Sequence, residues 1–154
     1  MQQILLTIAA FGLGGMIAAY LSVNTMVAGK VGSPEQATLP YFLMAFMLTL
    51  GVFFFRGSYV NFHKFSEVPW WMLLTGVAGG ISVILATVLI KEIGPGRYFV
   101  AGVSGQMVVA VLLAHFAWLG SEENAINWQK LLGVVLSIIG VVLVYLGNQA
   151  SAQN

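Results

Sequence analysis

Five apolar runs, each closed by charges or turn residues, set the pattern of the chain. The first runs from about residue 3 to 28 and stops at GKVGSPEQ, which holds Gly29, Lys30, Gly32 and Pro34. The second, 37–55, stops at Arg56, and the third, 69–90, stops at Lys91 and Glu92. The fourth and fifth are 98–119 and 128–146. Each run has roughly 19–26 residues, so as a helix it would be about 28–39 Å long. The hydrocarbon core of a bilayer is about 30 Å thick. Lipid offers the backbone no hydrogen-bond partners, which leaves helices or a closed barrel. A barrel needs strands that alternate over about ten residues, and these runs do not alternate. The pattern predicts an all-α integral membrane protein, one domain over 1–154 with five transmembrane helices.

The connections are short. KEIGPGR (91–97) joins charges to a Gly-Pro-Gly turn, so spans three and four should be tight antiparallel neighbours. Pro69 suits a first helical position. Trp70, Trp71, Trp118, Trp128 and Tyr145 lie near span ends, where aromatic rings sit at the headgroups.

Composition agrees with the pattern. Of 154 residues, 59% are hydrophobic and 7% charged, against about 25% charged in soluble domains. The mean hydropathy is +0.92. The opening MQQILLTIAAF lacks a positive n-region and its apolar run is long for a signal segment, so it reads as a retained first span. Without cysteine there is no disulfide framework and no thiolate ligand or nucleophile. A net charge of +1 offers no basic face to nucleic acid. No Ser/His/Asp set, metal cluster or phosphate loop is visible, so neither an enzyme, a metal nor a cofactor is expected. GLGG (12–15) lies inside span one with no strand before it and is not a nucleotide fingerprint.

The charges give no orientation. Cytoplasmic loops normally carry the excess of Lys and Arg. Arg56, Lys64 and Lys130 fall on one side, and Lys30, Lys91 and Arg97 on the other, so the six divide three and three. Either the orientation signal lies elsewhere, or the chain inserts both ways up. In the second case two copies can pair about an axis in the membrane plane, with a substrate site near the midplane where they meet.

Few polar groups lie within the spans. Gln106, in GVSGQ, follows Arg97 by nine residues, about 14 Å along a helix and close to mid-depth. An amide there needs partners or water. It is either an interhelical hydrogen bond or a cavity-lining contact to substrate, and Gly102 and Gly105 leave room for close approach. Asn24 is the second such amide, and Tyr20, four residues earlier, shares its face. Both amides lie toward one side of the membrane and could line one cavity. Ser82, Thr87 and Ser104 are weaker candidates, since each can bond its own helix backbone. His115, near a span end, is the main titratable candidate within a span. No carboxylate lies in the middle of a span, so proton coupling would need Glu92 or His115.

Helices in lipid approach closely through small residues. Gly133, Ser137, Gly140 and Gly147 form such a stripe on span five, a candidate helix–helix or subunit contact. Gly14, Ala18 and Ser22, the pair Gly76 and Gly80, and the pair Ala101 and Gly105 are shorter versions.

The chain resembles the YdcZ-type family of half-size, five-helix proteins in the drug/metabolite transporter superfamily. The matching features are Asn24 with GKVGSPEQA (29–37), PWW with GVAGG (76–80), IGPG (93–96), GVSGQ (102–106), HFAWLG (115–120) and WQKLLGVVLSIIGVVLV (128–144). Tyr20 departs from the glutamine that members often carry four residues before the asparagine, which implies a different ligand contact there. The resemblance implies a multi-pass bacterial inner-membrane protein with the drug/metabolite transporter half-fold. It implies two such units paired as an antiparallel ten-helix carrier, a homodimer or a pairing with a paralogous five-helix subunit. Asn24, Gln106, Tyr20, Ser82 and Ser104 would then contact a small-molecule substrate in the central cavity, exported by alternating access. The alternatives are an obligate subunit of a heteromeric transporter, or a non-transporting assembly or regulatory protein.

Overall fold

The computed structural model describes residues 1–57, 59 and 62–152. Those residues contain helices and no strand. Five helices are long and apolar enough to cross a membrane. Contacts gather into two compact units, Met1–Glu92 and Ile93–Asn154.

The first unit opens with α1 (Gln2–Val31), closed by Gly32 at φ +94°, whose N–H donates to the Ala28 carbonyl. A left-handed residue after the last turn is the usual place for glycine. The next helix, α2 (Pro34–Phe55), starts on Ser33, whose hydroxyl accepts from the Gln36 N–H at 3.2 Å. That cap, Pro34 at the first helical position and Glu35 in the first turn all favour a helix start here. A short helix α3 (Phe62–Ser66) follows. Pro69 then precedes a single 3-10 stretch, Trp70–Leu74, which runs into α4 (Thr75–Ile93). The helices are apolar on nearly all sides, as lipid-facing helices are. Buried side chains are few and confined to one face: Leu21, Asn24 and Ala28 on α1, Ala37 and Thr38 on α2, and Ala86, Thr87 and Ile90 on α4.

The second unit holds α5 (Pro95–His115) and α6 (Trp128–Ala152). Gly94, at φ +81°, is the whole connection from α4 to α5, and Pro95 fixes the backbone of the first helical residue. Helix α5 ends four residues before its apolar run does. Ala117 (φ 49°), Leu119 (φ 53°) and Gly120 (φ 76°) turn the chain in the left-handed region. The returning loop then caps the helix: the Ser121 hydroxyl donates to the Leu113 carbonyl and the Asn124 N–H to the Ala114 carbonyl, both at 2.8 Å. Phe116 to Leu119 remain apolar after the helix stops, so hydropathy does not mark that end. Helix α6 continues past the apolar run into a polar turn, where the Gln149 amide donates to the Tyr145 hydroxyl at 2.8 Å.

Candidate functional site

In the first unit the polar residues of three helices converge on Asn24. Its Nδ2 donates to Thr87 Oγ1 on α4 at 3.0 Å and to Thr38 Oγ1 on α2 at 3.5 Å. Each threonine hydroxyl spends its own proton on a carbonyl one turn back, Thr38 to Pro34 and Thr87 to Val83, both at 2.8 Å. The three side chains are 1–6% exposed. Both N–H groups of the amide are therefore used in holding α1, α2 and α4 together. The amide oxygen Oδ1 has no partner among the described residues, yet it is not sealed in.

An open groove of about 300 Å³ lies between α1 and α2, lined by Tyr20, Asn24, Pro40 and Tyr41 with aliphatic neighbours. The rings of Tyr20 and Tyr41 stack with centroids 5.5 Å apart and planes at 25°. Neither an acidic nor a basic side chain lines this groove. Tyr41 and Thr38 are absent from the sequence-derived candidates. The one signal for Tyr41 is a tyrosine set well inside a span, away from the headgroups where the ring normally sits. Ser82 is exposed and its hydroxyl donates to the Ala78 carbonyl at 2.7 Å, the bond to its own helix that spends its proton locally.

The second unit uses a different device. Ser104 on α5 and Ser137 on α6 bring their hydroxyls to 2.5 Å, and Ser104 Oγ lies 3.2 Å from the Ser137 carbonyl oxygen. Ser104 thus bonds the neighbouring helix rather than its own backbone. Ser137, from the small-residue stripe, is a helix–helix contact within the chain. At Gly133, Gly140 and Gly147 an added Cβ would meet nothing within 4 Å, so the stripe's glycines leave open space. The Arg97 guanidinium lies over the Tyr145 ring, 5.1 Å from its centroid, and its Nε is buried with no hydrogen-bond partner among the described residues. The Ile126 N–H donates to His115 Nδ1 at 3.4 Å. That nitrogen is thereby occupied as an acceptor. Glu92 is exposed at the end of α4.

Gln106 is exposed and has no hydrogen-bond partner among the described residues. Tyr20, Asn24, Ser82 and Glu92 belong to the first unit, and Ser104, Gln106, His115 and the Gly133–Gly147 stripe to the second. No cluster of three side chains suited to a metal ion occurs among the described residues.

Residues 5–143 match the model of one family, described as "Putative inner membrane exporter, YdcZ". No curated protein and no solved structure matches the chain. The match runs through all five spans and covers nearly the whole sequence, with the polar landmarks at Asn24 and Gln106 inside it. The chain belongs to the YdcZ family of multi-pass inner-membrane exporters.

Proposed function

We propose that the protein exports a small molecule by alternating access, as an antiparallel pair of five-helix chains around a central polar cavity. Gln106 carries this reading. A primary amide near mid-depth, exposed and without a partner among the described residues, cannot be left to lipid, where an unsatisfied polar group costs several kcal/mol. It needs water, a ligand or a second chain, and a wet passage at a subunit contact supplies all three. The even division of Lys and Arg between the two sides is what insertion in both orientations requires. Tyr20 and Asn24, with Oδ1 unused, are further ligand contacts in this reading. Glu92 is then the better coupling group, because His115 Nδ1 already accepts a backbone N–H. The bilayer, a second copy and the exported molecule are the partners, and no cofactor is involved.

Single cysteines introduced near each terminus of this cysteine-free chain and labelled from each side of the membrane test the pairing. Labelling of both ends from both sides is the expected result. Labelling of each end from one side only rejects dual insertion, and with it the antiparallel homodimer. A second reading, a non-transporting assembly protein, is favoured by Asn24, whose N–H groups serve only to tie helices. Under that reading, Gln106→Leu leaves the cellular phenotype of the chain unchanged.

A further inference from the structure

We propose that segment 116–127, between α5 and α6, is a strap latched by His115, and that protonating His115 lifts Ile126 from the groove between those two helices.

The strap is backbone held against its own preference. Ala117 and Leu119 have φ of 49° and 53°, in the left-handed region that a Cβ disfavours. Such conformations persist only where the surroundings hold them. Here Ser121, Asn124 and Ile126 donate to Leu113, Ala114 and His115, consecutive residues at the end of α5. The first two bonds go to backbone carbonyls at 2.8 Å, and the third goes to His115 Nδ1 at 3.4 Å. From α6, the Lys130 ammonium donates to the Asn124 and Ala125 carbonyls at 3.0 and 2.8 Å, and to the Asn124 side chain. Asn127 Oδ1 accepts the Lys130 N–H at 2.9 Å at the start of α6.

Of the acceptors at the end of α5, the imidazole is the one that titrates. A neutral imidazole accepts at one nitrogen, whereas an imidazolium donates from both. Protonation therefore sets an Nδ1–H against the Ile126 N–H, donor facing donor. Imidazoles change charge between about pH 5 and pH 8, so the contact is made at the upper end of that range and lost at the lower. The charged groups on the elements packed against this end of α5 are Glu122 and Glu123 in the strap and Lys130 on α6. Both carboxylates are exposed, and neither forms an ion pair with the ring. Phe116 meets the ring edge-on at 4.8 Å between centroids and brings no charge.

Ile126 is the part that moves. Its side chain lines a groove of about 160 Å³ with Val108, Val111, Leu112, Leu131 and Val134. The first three stand on α5 and the last two on α6, while Ile126 comes from the strap. Asn124 and Asn127 keep their bonds to Ala114 and Lys130 whatever the state of the ring, so the release is confined to Ala125 and Ile126. His115 thus makes the cover of the α5–α6 groove sensitive to the pH on its own side of the membrane.

The test places a nitroxide on Ala125→Cys in this cysteine-free chain and reads its mobility by EPR, with the full chain in nanodiscs. The Ala125 side chain is exposed, so the label leaves the strap's bonds in place. The ratio of mobile to immobile label should rise roughly three- to tenfold between about pH 8 and about pH 5, the effect of about one hydrogen bond. His115→Asn offers Oδ1, bonded to Cγ as Nδ1 is, as an acceptor that does not titrate; it should keep the label immobile at both pH values. Glu122→Gln with Glu123→Gln should leave the response intact. A separate check is ¹⁵N NMR of labelled histidine, with His63→Gln clearing the second histidine's signals. At the higher pH, His115 should carry its proton on Nε2. A label indifferent to pH, a response that survives His115→Asn, a response lost with the two carboxylates, or a proton on Nδ1 overturns the proposal. Neither transport nor pairing of chains enters these readouts, so the carrier reading stands or falls separately.

Discussion

In Met1–Glu92, side chains from three helices close on one another around Asn24, while in Ile93–Asn154 two serines pair and an exposed glutamine has no partner among the described residues. Polar groups in lipid must find partners. The first unit meets this internally, with hydroxyls relaying the amide's bonds to backbone carbonyls. The second pairs Ser104 with Ser137 and leaves the Gln106 amide without a partner among the described residues. The difference teaches that polar residues in one small membrane protein need not share a role. Asn24 builds the fold and offers one spare acceptor, whereas Gln106 contributes nothing to holding its own unit together.

Five substitutions sharpen or break that contrast. The largest effect is expected from Gln106→Leu. It should reduce export at least tenfold in a cell-based efflux assay while the purified protein melts no earlier than wild type, because no internal bond is lost. Earlier melting with export intact would reverse the assignment. Next comes Asn24→Leu, which keeps the branched shape of the side chain. It should cost about 1–2 kcal/mol in chemical unfolding, near the upper end for interhelical polar bonds, and no more. Thr38 and Thr87 keep their own carbonyl partners, so no hydroxyl is orphaned.

A smaller loss follows Ser104→Ala, about 0.6 kcal/mol, the average for such bonds in membranes. A loss as large as that of Asn24→Leu would make the serine pair the equal of the Asn24 knot. Smallest are Gly133→Ala and Gly140→Ala, which should shift protomer stability by less than about 0.5 kcal/mol, since the new Cβ meets open space. Weaker crosslinking between copies with an unchanged melt would place the stripe at the subunit contact. A marked drop in protomer stability would show instead that α6 packs more tightly than its geometry indicates.

Much of this architecture is legible in the order of residues. The five spans follow from apolar runs matched to bilayer thickness, and Gly32, Ser33 and Gly94 mark their helix ends by conformation and capping. The end of α5 is not legible, because Phe116 to Leu119 suit lipid or headgroups whether or not they are helical. Nor were the partners of Asn24. A threonine in a helix satisfies its own hydroxyl one turn back, so Thr38 and Thr87 carry no sign of a further contact. Tyr41 stands out in the sequence only as a tyrosine inside a span, and nothing there marks its stacking on Tyr20.

The sequence by itself determined that this chain lives in lipid as five helices, because backbone hydrogen bonding without water permits little else. It also determined which residues are costly there, Asn24 and Gln106 first. Only the tertiary structure decided how each cost is met. Thr87 lies 63 residues from Asn24, and no local periodicity encodes a pairing over that distance. The same fold decided that Gln106 faces outward, since the side a helix presents is set by its packing and not by its composition.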